Sequence, residues 1–307
     1  MKASAPGKII LFGEHAVVYS RPALAVPVNQ VKVEVDISDS AQPGIWIHAP
    51  IIGLQAELTT LPSNHPIASV ILWAMQHLGI FPRPNISITI ESTIPVASGL
   101  GSGAAVSVAL VRALSSFFSH PLKNQQINDL VYETEKLYHG TPSGIDNTVI
   151  TYNMPVFYLK DKPIETFKVG KPFTIVIGDT GIPAPTKESV GDVRRLWLRD
   201  PNRFESIFNE VAQISTMARH FIESGRPELL GELMDQNHEF LQELTVSSPE
   251  LDALVLAARQ AGAQGAKLSG GGRGGNMIAL VDSASAESVA QALLSAGAKR
   301  TIITEIK

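Results

Sequence analysis

The chain has 307 residues, 44% of them hydrophobic, and a formal net charge of −4. This length supports one large domain or two compact ones, and the charge gives no indication of nucleic acid or an anionic membrane surface as a partner. It has no cysteine, which excludes disulfides and thiolate metal sites. Because the N-terminus lacks a signal peptide's apolar run and no stretch approaches the roughly 20 apolar residues of a membrane span, we expect a cytoplasmic protein.

The periodicity of apolar residues predicts strands and helices mixed along the chain. Alternation predicts a strand over 31–37 and another over 86–90. Helical spacing predicts a helix over 67–78, with Asn64 as candidate cap and Pro66 near the first turn. Further helices are expected over 106–117, about 125–138, most of 203–261 and 284–296, and further strands over 173–178, 277–281 and 300–306. This order favours an α+β fold, and a linker over 160–172 suggests two domains, 1–165 and 166–307.

A first segment with candidate functional residues covers residues 5–15. A strand-like apolar run lies between a Pro-Gly turn and the group Gly13-Glu14-His15. By itself this pattern fits either a functional site or an ordinary surface segment. Lys8 could be a surface lysine, and Glu14-His15 could belong to a solvated loop.

A second segment, residues 95–105, joins the strand near Ile90 to a helix that begins at about Ser102. A glycine-rich loop that leads into a helix N-terminus is typical of phosphate binding, because unpaired backbone N–H groups and the positive end of the helix dipole face the anion. The alternative is a flexible turn. The segment does not fit a dinucleotide site, since no carboxylate follows about 20 residues later at a strand end. P-loop and protein-kinase motifs are also missing from the sequence.

The third segment, residues 267–276, contains five glycines and precedes an apolar strand. So many glycines are costly to order. We therefore expect a second backbone loop that closes over phosphate or substrate.

Two carboxylates lie between the second and third segments. Glu135 is expected near a helix C-terminus, where the dipole disfavours an anion, and it is therefore either an ordinary exposed carboxylate or one that recruits a cation. Asp146 follows a Pro-Ser-Gly turn.

In this order and spacing, the three segments resemble the signature motifs of the GHMP kinases, which phosphorylate small molecules such as galactose, homoserine, mevalonate and phosphomevalonate. Residues 13–19 and 139–147, together with 178–181 and 185–188, are most similar to the mevalonate-phosphorylating branch. The resemblance covers essentially the whole chain. It implies an N-terminal domain like ribosomal protein S5 domain 2, a ferredoxin-like C-terminal domain, and ATP, Mg²⁺ and mevalonate bound between them.

The resemblance also implies roles for individual residues. Asp146 would be the catalytic base, with Lys8 beside it. Glu135 and Ser102 would hold Mg²⁺. Mevalonate would be bound by Glu14, His15, Thr186 and Gly271. The nucleotide phosphates would be bound by Pro95, Ser98, Gly99, Leu100, Gly101, Ser102, Gly103 and Ala104.

The sequence departs from the family pattern in two segments. Gly103 replaces a serine that commonly contacts Mg²⁺ or phosphate, so Ser102 or water would complete the metal shell. In the third segment, Gly271 and Arg273 occupy positions where small residues or glycine are usual, and Arg273 is either an added phosphate contact or solvent-facing.

Other functions remain open at this point. The chain could be a phosphomevalonate or homoserine kinase, or a non-catalytic ligand sensor that keeps the fold. Retention of Lys8, Glu135 and Asp146 together favours an enzyme. Its assembly as a homodimer is also left open.

Overall fold

A computed structural model describes residues 1–62, 64–95, 98–139, 142–163, 165–184 and 186–307. The helices are α1 (Pro66–His77), α2 (Ser102–Phe117), α3 (Asn124–His139), α4 (Ile145–Tyr152), α5 (Thr186–Arg199), α6 (Pro201–Glu223), α7 (Leu230–Glu243), α8 (Pro249–Gln260) and α9 (Ala286–Ser295). The strands are β1 (Lys2–Phe12), β2 (Ala23–Asp39), β3 (Ile45–Ala49), β4 (Leu54–Glu57), β5 (Ile86–Ser92), β6 (Val156–Tyr158), β7 (Glu165–Thr166), β8 (Phe173–Asp179), β9 (Gly265–Ser269), β10 (Asn276–Val281) and β11 (Arg300–Ile306).

The α+β class and each of the predicted helices and strands are confirmed. The predicted strand over 31–37 is the second half of the 17-residue β2. Helix α1 has Pro66 in its first turn as expected, but its N-cap is His65 and not Asn64. In the described part of the chain, no helix combines the length and the apolar character needed to cross a bilayer.

Contacts divide the chain into two compact units, and the first contains residues 1–7, 31–96 and 101–153. Its strands lie in the order β4-β3-β5-β2, with the β3–β5 pair parallel and the others antiparallel. Helices α1 to α4 pack against one another. The alternating apolar residues of β2, including Val33, Val35 and Ile37, are buried, which is the inward face that their period-2 spacing predicts.

The second unit contains residues 8–30, 97–100 and 154–307. Its main sheet is antiparallel, in the order β11-β8-β10-β9, and α7, α8 and α9 contact its strands. A hydrophobic core that includes Phe208, Leu241, Leu251 and Met277 lies among these helices and strands. The predicted division of the chain at residue 165 stays a prediction.

Helix α7 and strand β9 meet through their backbones. A Cβ on Gly265 would lie 2.1 Å from the carbonyl oxygen of Gly231, and one on Gly231 would lie 2.2 Å from that of Gln264. Both distances are far below van der Waals contact, so only glycine allows this approach. Strand β9, which leads into the third glycine segment, is thereby held against α7.

Candidate active site

The third glycine segment is the connection of an antiparallel hairpin. Strands β9 and β10 pair with Asn276 opposite Ser269, so the connecting loop comprises residues 270–275. A Cβ on Gly272 would lie 1.9 Å from the carbonyl oxygen of Val246, and one on Gly271 would lie 2.6 Å from Oγ1 of Thr186. Glycine is therefore required at these two positions because the loop contacts both the first residue of α5 and the segment after α7. A Cβ on Gly274 would likewise lie 2.6 Å from the carbonyl oxygen of Ile182, so the structure gives a packing reason for three of the five glycines.

His15 contacts this loop directly. Its Nε2 lies 3.1 Å from the carbonyl oxygen of Gly271. A carbonyl oxygen only accepts hydrogen bonds, so Nε2 carries the proton, and in the neutral ring Nδ1 is an acceptor. Burial lowers the pKa of His15 to about 4, which keeps the ring neutral at neutral pH. Nδ1 is buried, and among the described residues it has no hydrogen-bond partner.

Glu14 forms an ion pair with Lys267 at the centre of β9. Both side chains are 0% exposed, and Nζ of Lys267 also donates to the carbonyl oxygen of Leu268 at 2.7 Å. Burial raises the pKa of Glu14 and lowers that of Lys267, and the attraction between the two charges opposes both shifts. Oε2 of Glu14 is buried and has no hydrogen-bond partner in the described part of the chain. The pair joins the Glu14-His15 turn to the strand that precedes the glycine loop.

The second glycine segment is tied to β1 and β10 within the same unit. The Lys8 amide donates to the carbonyl oxygen of Leu100 at 3.0 Å, and Nδ2 of Asn276 donates to that of Ser98 at 2.5 Å. Lys8 is buried, with 4% of its surface exposed. Val96 and Ala97 of this segment lie outside the described residues.

Helix α2 of the first unit begins where the second segment ends. Gly101 is its N-cap in a left-handed conformation, and Ser102 is its first residue. The strand–loop–helix order that predicts phosphate binding is therefore present, with Pro95 shortly after β5. The N–H groups of Ser102, Gly103 and Ala104 belong to the first turn, where an α-helix leaves amides without intrahelical partners.

Glu135 lies beside the first turn of α2. It is near the C-terminal end of α3, as predicted, and it is buried, with 8% of its surface exposed. A Cβ on Gly103 would lie 3.8 Å from Oε1 of Glu135. A side chain at position 103 would therefore adjoin this carboxylate.

Asp146 is the second residue of α4, and Gly144 is the N-cap of that helix. A negatively charged group in the first turn interacts favourably with the positive end of the helix dipole. Nδ2 of Asn147 donates to Oδ1 of Asn128 at 2.8 Å, and this buried contact fixes α4 against α3. Gly140 and Thr141, in the segment expected to precede Asp146, lie outside the described residues.

The predicted residues therefore form two groups, one in each unit. Glu14, His15, Thr186 and Gly271 lie together in the second unit, whereas Gly103 adjoins Glu135 in the first. Lys267 and Asn276 hold the glycine segments in place, and sequence patterns did not single out either residue. The signal for Lys267 was present, because a lone lysine flanked by Ala266 and Leu268 in an apolar strand predicts a buried charge with a partner.

Comparison with known proteins identifies the family. The sequence matches the family described as GHMP kinases N terminal domain over residues 66–153, and GHMP kinases C terminal over 218–299. It is 36% identical to the mevalonate kinase of Thermococcus gammatolerans, over 99% of this chain and 95% of that protein. The mevalonate kinase of Pyrococcus abyssi is 37% identical, over 96% and 92% respectively.

A solved structure shows the same similarity in three dimensions. The L. major mevalonate kinase in complex with R-mevalonate superimposes with a TM-score of 0.87 at 28% identity, covering 100% of this chain and 96% of that one. The chain belongs to the GHMP kinase family. Within that family, the two relatives named above, which it matches over nearly its full length, are mevalonate kinases.

Proposed function

We propose that the chain transfers the γ-phosphoryl group of ATP to the 5-hydroxyl of mevalonate, giving 5-phosphomevalonate and ADP in isoprenoid biosynthesis. The observation that carries this assignment is the near-full-length similarity to mevalonate kinases at 36–37% identity. The geometry of the His15–Gly271 group supports it independently, as argued below.

The transfer requires alignment more than covalent help from the protein. The 5-hydroxyl oxygen bonds to the γ-phosphorus, the bond from that phosphorus to the β–γ bridging oxygen breaks, and ADP leaves. Asp146 accepts the hydroxyl proton. The position of Asp146 in the first turn of α4 supports this role, because the positive end of the helix dipole favours a negatively charged group there. Lys8 is assigned to act with Asp146 as its cationic partner and to lower the pKa of the hydroxyl.

The second glycine segment is the proposed nucleotide site. Pro95, Ser98, Gly99, Leu100 and the first turn of α2 would surround the phosphates with backbone N–H groups. The orphan amides at the start of α2 support this assignment, since a helix N-terminus preceded by a glycine loop favours phosphate.

Mg²⁺ is the metal that we assign to the enzyme, with Glu135 and Ser102 as its protein ligands. The donor set fits, because Mg²⁺ prefers oxygen ligands and commonly takes one or two carboxylates together with substrate phosphates and water. Within the described residues no group of three or more His, Asp or Glu side chains is arranged to hold a metal ion. When bound, Mg²⁺ would neutralise the charge of the β- and γ-phosphates.

The mevalonate site is assigned to Glu14, His15, Thr186 and Gly271. Nδ1 of the neutral His15 ring is a buried acceptor, so it fits a ligand that presents a hydroxyl hydrogen. Because Nε2 donates to Gly271, the ring orientation is set before substrate arrives. Glu14 contributes through its pair with Lys267, which holds the turn that carries His15.

An ADP-release assay with Mg-ATP tests the assignment against the alternative kinases. We expect mevalonate to give the highest kcat/KM among mevalonate, phosphomevalonate, homoserine and galactose. Preference for another alcohol would contradict the substrate assignment and leave only the assignment to the family. Saturable mevalonate binding by calorimetry, without turnover of any of the four, would instead identify a ligand sensor.

A further inference from the structure

Arg273 occupies a strained position in the loop between β9 and β10. Its φ is 59°, in the left-handed region that L-residues other than glycine, asparagine and aspartate seldom adopt. The sequence nevertheless has arginine here, among five glycines. Because glycine would adopt this conformation at lower cost, we expect the arginine side chain to make contacts that offset the strain.

The guanidinium of Arg273 makes contacts on two sides of the loop. Nη1 forms an ion pair with Oδ2 of Asp192 on α5. Nε and Nη2 both donate to the carbonyl oxygen of Thr245, at 3.4 and 3.3 Å. The backbone amide of Arg273 donates to the carbonyl oxygen of Val246 at 2.8 Å. The residue thus connects α5 to the segment that follows α7.

These two segments are the ones that contact the loop beside the proposed mevalonate site. Thr186, the first residue of α5, lies against Gly271, and Val246 lies against Gly272. We propose that Arg273 is a positioning residue, which holds Gly271 and Thr186 at a fixed spacing for mevalonate by joining the loop to Asp192 and Thr245. This inference rests on the proposed function and assigns to Arg273 a role in it.

The contacts favour this role over a direct bond to a nucleotide phosphate. The charge of Arg273 is already matched by Asp192, and three of its nitrogen atoms are engaged with protein oxygens. The side chain is 30% exposed, so most of it is packed. Arg273 also acts on His15 through its charge, since together with burial it lowers the pKa of that ring.

Three variants test the proposal. Arg273→Gly removes the side chain and relieves the strain, and Asp192→Asn removes the ion pair while leaving the loop sequence intact. The matched control is Arg195→Ala, because Arg195 pairs with the other carboxylate oxygen of Asp192 but is 69% exposed. We expect kcat/KM for mevalonate to fall by about tenfold in Arg273→Gly and by about fivefold in Asp192→Asn, consistent with lost positioning. KM for ATP should change less than about twofold, and Arg195→Ala should resemble wild type.

The double variant Arg273→Gly/Asp192→Asn should be no worse than Arg273→Gly alone, because the two side chains act as a pair. Additive losses would overturn the proposal. A raised KM for ATP in Arg273→Gly with wild-type behaviour in Asp192→Asn would overturn it in favour of a phosphate contact. A lowered Tm with unchanged kinetics at low temperature would reduce Arg273 to a stabilising residue and also overturn it.

Amide hydrogen exchange of the ligand-free proteins gives a readout that is independent of activity. Peptides covering 270–275 and the start of α5 should exchange faster in Arg273→Gly and Asp192→Asn, and at the wild-type rate in Arg195→Ala. If mevalonate is not a substrate, the proposed function fails, yet this exchange still decides whether Arg273 holds the two segments. Unchanged exchange in Asp192→Asn would overturn the positioning role.

Discussion

Lys267 donates a hydrogen bond to Glu14, and both side chains are 0% exposed. Neither charge reaches water, so each depends on the other for compensation of its lost hydration. Removal of one partner from such a pair typically costs about 3–5 kcal/mol, because an uncompensated charge stays buried.

We therefore predict that Lys267→Met destabilises the protein by about that amount in urea unfolding. Removal of the second charge in Glu14→Gln/Lys267→Met should recover a large part of the loss. The matched control is Lys32→Met, because Lys32 and Glu34 form an exposed pair whose loss is expected to change stability little. Equal losses at the two lysines would contradict a dominant role for burial.

Asp146→Asn preserves size and removes the negative charge of the proposed base. We expect kcat to fall at least about a hundredfold with ATP affinity little changed, as is typical when a general base is lost. Lys8→Met should lose activity similarly. Steady-state kinetics and calorimetric ATP binding measure these effects, and Asp39→Asn, at an exposed end of β2, is the control. Near-wild-type kcat in Asp146→Asn would show that this residue has a structural role and is not the base.

Two substitutions test the proposed metal site. Gly103 has no positive φ and lies within α2, so a serine fits there without backbone strain. Its side chain would adjoin Glu135, and we expect Gly103→Ser to lower the Mg²⁺ concentration for half-maximal activity. Glu135→Gln should raise that concentration and lower kcat at saturating ATP. A Mg²⁺ titration of both variants is the measurement. If Glu135→Gln titrates as wild type does, the ion is held elsewhere.

His15→Asn and His15→Gln separate the two ring nitrogens. The amide oxygen of asparagine lies near the place of Nδ1 and keeps an acceptor, whereas the amide nitrogen of glutamine lies near the place of Nε2 and keeps the donor to Gly271. If Nδ1 accepts from mevalonate, His15→Asn should retain a higher kcat/KM for mevalonate than His15→Gln. Residue 15 has a positive φ of 60°, which asparagine adopts more often than most residues. The reverse order would mean that the contact with Gly271 is the important one.

The pH dependence of stability should reflect His238. Burial lowers its pKa to about 4, assisted by the charges of Lys267 and Arg259 and opposed by Asp252. An unfolded histidine takes up its proton near pH 6.5, so His238 contributes stability above that pH, and the contribution is lost as pH falls toward 4. The loss amounts to at most about 3 kcal/mol. Urea unfolding from pH 7.5 to 4.5 should give a shallower decline for His238→Gln than for wild type, whereas exposed His77→Gln should change nothing.

Sequence patterns predicted the longer elements well because their apolar spacing is regular. Helices α4 and α5 escaped prediction. In α4 the reason is composition, since Ile145, Thr148, Val149, Ile150 and Thr151 are β-branched residues that favour strands. Their helical conformation depends on packing against α2 and α3, and that information is not local.

The candidate site was predicted as a set of motifs, but not as a set of contacts. Glu14 and Lys267 are 253 residues apart, and the pattern around each gives no indication of its partner. Arg273 was left between phosphate binding and solvent exposure, whereas the structure engages it with Asp192 and Thr245. In both cases the missing information was the tertiary neighbour of a charged side chain.

The contact between Gly231 and Gly265 bears on how this protein tolerates change over evolutionary time. Main-chain atoms set the distance between α7 and β9, and these atoms are common to every amino acid. Side chains elsewhere in the surrounding core can therefore be exchanged for others of similar volume without moving the point at which the glycine hairpin starts. The position of the glycine loop is thus protected from substitutions in the surrounding core, provided that these two glycines persist.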